Sequence, residues 1–139
     1  MTAVTRALSV ALLLAVASPA FAGDVALPDA SQLPKDVVQV SGVVPAMGEH
    51  WANPADLPLG PIYGVSNGKV IFFEFMIDQE SFKSGKSFLE LTPKAGFTLP
   101  PVDHVDFGFE PEGHEGYPVP HYDVHLYFVP HAEHMAIKP

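Results

Sequence analysis

The residues of this chain best suited to holding a cation begin in His121-Tyr122-Asp123-Val124-His125-Leu126-Tyr127-Phe128-Val129. Period-two alternation in a strand puts His121, Asp123 and His125 on one face and Tyr122, Val124, Leu126 and Phe128 on the other. One face offers imidazole and carboxylate ligands, and the other can pack. Six of the seven histidines fall at or after His104. At about 3.3 Å per residue, His121 and His125 stand roughly 13 Å apart along a flat strand. Two such imidazoles cannot readily share a metal about 2.1 Å from each nitrogen. Either the strand bends near Pro120 or each histidine works with groups from elsewhere.

A partner strand is available in Val102 to Phe109. Paired antiparallel so that the polar faces coincide, it sets His104 opposite His125 and Asp106 opposite Asp123, with Val105 beside Val124 and Phe107 beside Tyr122. His104, Asp106 and Asp123 are therefore secondary ligand candidates. Two opposed aspartates repel unless a cation lies between them, one is protonated or both are solvated. The bland alternative is a solvated sheet face.

Glu74 stands out because Phe72, Phe73, Phe75 and Met76 surround it. A carboxylate in such a strand must be paired, protonated or coordinated. The single arginine, Arg6, lies in the N-terminal segment, which leaves lysine, histidine or a metal as partner. His50, in Met47-Gly48-Glu49-His50-Trp51, sits where Gly48 permits close backbone approach and Trp51 can wall a pocket. His114 and the pair His131 and His134 are weaker candidates, although His-x-x-His can bind metal on a helical turn.

The elements that must position these groups read as mainly β. Asp36 to Ser41 is a short β-branched strand. Val43 to Pro61, punctuated by proline and glycine, reads as a long ordered loop carrying Met47, Trp51, Leu57 and Leu59. Ile62 to Ile77 is a hairpin, with Asn67-Gly68 supplying the two positive-φ positions of a type I′ turn. Its second strand, from Lys69, is apolar on both faces except for Glu74 and is expected to be central. Asp78 caps a short helix, with Ile77 and Phe82 spaced as a hydrophobic staple and Gly85 ending it. The expected fold is a single antiparallel β domain, a small sandwich or a partly closed barrel, with one short helix and long ordered loops.

Residues 1–22 read as a signal peptide: Arg6, an apolar run from Ala7 to Val16, then an Ala20-Phe21-Ala22 cleavage site. The run is shorter than the roughly 20 residues of a spanning helix. The expected product is exported to the periplasm or secreted. It comprises an arm over 23–35, a β-rich domain over 36–130 and a tail over 131–139. Loss of Arg6 takes the formal net charge from −9 to −10. Such a surface repels phosphate backbones, so nucleic acid is excluded as a partner, and cations are favoured. With no cysteine there is no disulfide framework and no thiolate ligand. No nucleophile elbow, phosphate cradle or dinucleotide fingerprint appears, so no organic cofactor is expected and the chemistry points away from an enzyme.

Four segments then show a likeness: Met47 to Trp51, Gly60-Pro61-Ile62-Tyr63-Gly64, Pro100 to Asp106, and Gly113-His114-Glu115-Gly116-Tyr117 leading into Pro120 to His125. Together they resemble an uncharacterised family of small exported bacterial β-rich proteins whose prototype is a sigma-E-controlled thermophile protein. The likeness spans about Val40 to Val129. It implies a mainly antiparallel β domain capable of forming a homo-oligomer, and it implies no activity. More loosely, Met-Gly-x-His, a strand Glu and His-x-x-x-His are similar to a pattern in other exported proteins of unknown function. That ranks His50, Glu74, His121 and His125 above His104 and Asp106. The leading expectation is a non-catalytic site for Zn or Cu, with Fe less favoured, in which His125 is joined by some of His50, Glu74 and His121. The alternatives are a structural or stress-linked envelope protein acting through oligomerisation without metal, and a metal-dependent enzyme.

Overall fold

The computed structural model describes residues 26–139; the expected signal peptide and its cleavage point lie outside them. Six strands form one antiparallel sheet in the order β1-β2-β3-β4-β6-β5. They are β1 (Val38–Val44), β2 (Gly48–Ala52), β3 (Ile62–Ser66), β4 (Lys69–Asp78), β5 (His104–Glu110) and β6 (His121–Tyr127). The sheet is open, not a sandwich or a closed barrel. Among the described residues, two short α-helices, α1 (Gln79–Lys83) and α2 (His131–His134), accompany it.

The β3–β4 hairpin turns at Asn67 and Gly68, both at positive φ (50° and 74°), as a type I′ turn requires. β4 is central, between β3 and β6, and is buried from Val70 to Ile77. α1 starts where Asp78 accepts a 2.8 Å hydrogen bond from the Ser81 amide and stops at Gly85, φ 72°. The segment Val43 to Pro61 differs from its expected reading as loop: it contains β2 and a single 3-10 turn over Pro54–Asp56. Met47-Gly-Glu-His-Trp lacks a long alternating run, and β2 owes its place to pairing with both β1 and β3.

The β5–β6 register also differs from expectation by two residues. His104 faces Tyr127, Asp106 faces His125, and Asp123 faces Gly108. A two-residue slip leaves every side chain on its original face, so alternation could not discriminate between the two pairings. The observed register avoids opposing Asp106 with Asp123 and gives Asp106 an imidazole neighbour instead.

The two faces of the sheet have different contents. One carries Tyr63, Val65, Val70, Phe73 and Phe75, covered by Leu33 of the N-terminal arm and by Leu59, Leu91 and Phe97. Each fully buried aromatic or branched side chain there is worth about 1.5–3 kcal/mol. Val70 reaches this face because Gly64 pairs with Phe72 while Val65 pairs with Val70, leaving Ile71 as a bulge. The other face carries the polar side chains of β6, and it is the more buried face of that strand: His121, Asp123, His125 and Tyr127 are all buried, whereas Tyr122, Val124 and Leu126 are half-buried. No helix among the described residues is long and apolar enough to cross a membrane.

Candidate metal centre

Two adjacent cross-strand rows build the site. One runs His50, Gly64, Phe72, Tyr127, His104, and the next runs Ala52, Ile62, Glu74, His125, Asp106. Glu74 and His125 are directly opposed on β4 and β6. His50 reaches Glu74 from β2, with its Nε2 4.0 Å from Glu74 Oε2. Gly64 makes this approach feasible. A Cβ at Gly64 would lie 1.9 Å from the Phe72 ring, so that ring occupies the space a side chain would take. Phe72 then meets His50 and His125 edge-on, at ring-centroid distances of 5.8 and 4.9 Å.

Ser41 orients His50. The Ser41 hydroxyl donates to the Gly42 carbonyl at 2.8 Å and accepts from the His50 amide at 2.9 Å. Its remaining capacity is as an acceptor, so His50 Nδ1, 3.1 Å away, is assigned as the N–H donor. In the neutral ring the Nε2 lone pair therefore points toward Glu74. Metal-binding histidines are commonly fixed by such an outward hydrogen bond.

Glu74 is 3% exposed, and the ion-pair partners it meets among the described residues are the imidazoles of His50 and His125. Burial works to raise its carboxyl, but His125 and then His50 outweigh burial and hold it below its ordinary range. Burial likewise works to lower the His125 imidazole, and Glu74 with Asp123 overcomes it, so His125 is raised. His50 is lowered, chiefly by burial. His125 Nε2 touches Glu74 Oε2, yet the contact is poorly aligned for a hydrogen bond and Nε2 has no well-formed partner. At such proximity the Coulomb attraction dominates whatever the angle. Ligand atoms of His50, Glu74 and His125 all lie within 4.8 Å of one another. Ligand atoms about 2.1 Å from a common ion lie roughly 3–4 Å apart, so small side-chain adjustments would suffice.

His121 belongs to a different group, with Asp123 and His114. Its Nδ1 donates to the Val119 carbonyl at 2.6 Å, which leaves the Nε2 lone pair facing Asp123 Oδ1 at 3.1 Å. Both atoms are buried and lack a hydrogen-bond partner among the described residues. Burial, then the charge of Glu74, raises the Asp123 carboxyl. A cavity of about 890 Å³ joins the two groups and is lined by His50, Glu74, His114 and Asp123, with Met76 and Tyr117.

The structure thus unites His50, Glu74 and His125 and separates His121 from them, as the strand spacing required. Asp123 sides with His121. His104 and Asp106 lie toward the β5 edge with His131 and His134. His114 is only a weak candidate in the sequence, and Ser41 is not a candidate there. The signal for His114 was the Gly113-His114-Glu115-Gly116 turn. Gly113 (φ 65°) and Gly116 (φ 85°) shape a tight loop, bridged between His114 and Tyr117, just before β6. Ser41 left no signal, because its role depends on strand pairing.

Fold and side chains together define a single-sheet β domain with histidine and carboxylate groups gathered on one buried face. No protein-family profile matches the chain, and no curated protein does. Among solved structures, it is similar to a hypothetical protein from Thermus thermophilus. The likeness has a TM-score of 0.58 and 24% identity, covering 66% of this chain and 86% of the other. At that identity, the likeness supports the fold alone.

Proposed function

We propose that this protein is an exported, non-catalytic domain that binds a divalent first-row transition metal, Zn or Cu(II), through His50, Glu74 and His125. The observation that carries this reading is Glu74, a buried carboxylate on the central strand whose ion-pair partners are two imidazoles, one of them turned inward by Ser41. Imidazole and carboxylate ligands without thiolate suit Zn or Cu(II) better than Cu(I). Export is supported by the apolar run Ala7 to Val16 and the Ala20-Phe21-Ala22 site. The likeness to small exported β-rich proteins is part of the same proposal. The test is thermal melting of untagged protein with Zn, with Cu and with chelator, beside His125→Ala. Binding at this site raises the melting temperature of the wild type by more than that of His125→Ala. A metal-dependent shift of equal size in both proteins, or no shift in either, would overturn the reading.

A second reading, assembly into an oligomer, is favoured by the outer face of the edge strand β5. Val105, Phe107 and Phe109 are 54%, 54% and 42% exposed there. Sedimentation of wild type beside Phe107→Glu tests it: a monomer in both would remove this reading.

A further inference from the structure

We propose a second metal site near the β5 edge of the sheet, where His104 and Asp106 of β5 and His131 and His134 of α2 hold a divalent ion that fastens the C-terminal segment to the sheet. It shares no residue with the central group.

The hydrogen-bond network fixes two of the imidazoles. His134 is 2% exposed, and its Nδ1 lies 2.9 Å from the Ala46 carbonyl, which can only accept. His134 Nδ1 is therefore the donor, and the neutral ring carries its lone pair on Nε2. His104 Nδ1 lies 2.9 Å from Asp103 Oδ1, which by the same logic leaves the His104 lone pair on Nε2. These two Nε2 atoms face each other at 3.3 Å. His131 Nδ1 stands 3.1 Å from His134 Nε2.

The facing lone pairs of His104 and His134 repel, so that pair calls for a positive centre: a shared proton or a metal ion. His131 Nδ1 brings a third nitrogen to within ligand distance of the same point, where it either donates to His134 Nε2 as a neutral N–H or completes a metal's ligand set. A carboxylate also approaches: Asp106 Oδ1 is 3.9 Å from His104 Nε2, and Asp106 Oδ2 is 3.9 Å from His134 Nε2. Bonds of about 2.1 Å at tetrahedral angles separate ligand atoms by about 3.4 Å, close to the nitrogen spacings here. The outward N–H groups of His104 and His134, one on a carboxylate and one on a carbonyl, are the supports that orient metal-binding imidazoles. Tyr127 stacks on both rings, at centroid distances of 3.9 Å from His134 and 4.9 Å from His104, and holds their planes.

Local geometry supplies the four ligands economically. His104 and Asp106 share a strand face at two-residue spacing, and His131 and His134 share a helical turn at three. α2 spans only His131–His134, too short to hold itself together. An ion there would join it to β5 and, through Ala46, to the β1–β2 turn. Three imidazoles and a carboxylate suit Zn or Cu(II).

The experiment counts metal and watches the tail. Untagged wild type, His125→Ala and the double variant His104→Ala/His131→Ala are dialysed against Zn, and bound Zn is measured per chain. Hydrogen exchange is followed over residues 135–138 with Zn and with chelator. His131 is exposed and His104 only half-buried, so the double variant should fold, and its melting in chelator checks this. The double variant is expected to bind one ion fewer than wild type. Saturating Zn should slow exchange of the tail amides by about tenfold or more in wild type and His125→Ala, but not in the double variant. An unchanged ion count, or tail exchange indifferent to Zn as a shared proton would give, overturns the proposal. The central site is read separately, by whether His125→Ala loses an ion.

Discussion

Replacing His125 with alanine strands Glu74 on the central strand, 3% exposed, with the nearest remaining imidazole, His50 Nε2, 4.0 Å away. Removing one partner of a buried charge pair costs about 3–5 kcal/mol, because the surviving charge loses its counter-ion without regaining water. Domains of this size have a total stability of about 5–15 kcal/mol. Each kcal/mol shifts melting by about 4–8 °C, so His125→Ala should melt at least about 12 °C lower. Glu74→Gln keeps the side-chain shape and discharges it. Added to His125→Ala, it should restore part of the loss instead of adding to it. Urea denaturation of wild type, both single variants and the double variant, in chelator at pH 7, yields the coupling directly. A His125→Ala cost below about 1 kcal/mol, or strictly additive losses in the double variant, would refute the reasoning.

The same pair sets a pH window for the metal-free protein. Glu74 is held below its ordinary value, so its contribution is complete above the usual carboxylate range and is lost as pH falls through the lowered value. His125 is raised, so its contribution is complete below the ordinary imidazole value of about 6.5 and is lost as pH rises through the raised one. Stability in chelator should therefore peak between those limits; a profile identical to that of Glu74→Gln/His125→Ala would contradict the assignment. Ser41→Ala removes the acceptor that turns His50 inward. It should weaken Zn binding by about 10–100-fold while leaving the fold intact, because outer hydrogen-bond partners of metal ligands carry effects of that size. Competition titration against a chromogenic chelator measures this, and unchanged affinity would show that His50 is not a ligand.

Much of this arrangement was legible in the residues. Asn67-Gly68 located the hairpin, Asp78 with Gly85 bounded α1, and the apolar neighbours of Glu74 marked β4 as central. Each is a local rule whose cause sits within a few residues. Strand spacing likewise separated His121 from His125. What depended on pairing was not legible. β2 forms because β1 and β3 flank it, and the β5 register turns on a slip to which alternation is blind. The polar face of β6 also proved to be the buried one. Composition alone argues for the opposite, since His and Asp usually face water. Here the loop around His114 and Tyr117 and the C-terminal segment cover that face.

Metal content tests the central claim most directly. Native mass spectrometry of the untagged protein, purified without chelator and then titrated with Zn and Cu(II), should show a metal adduct. Glu74→Gln/His125→Ala should carry one ion fewer under the same conditions. Equal metal content in wild type and that variant would contradict a site at His50, Glu74 and His125.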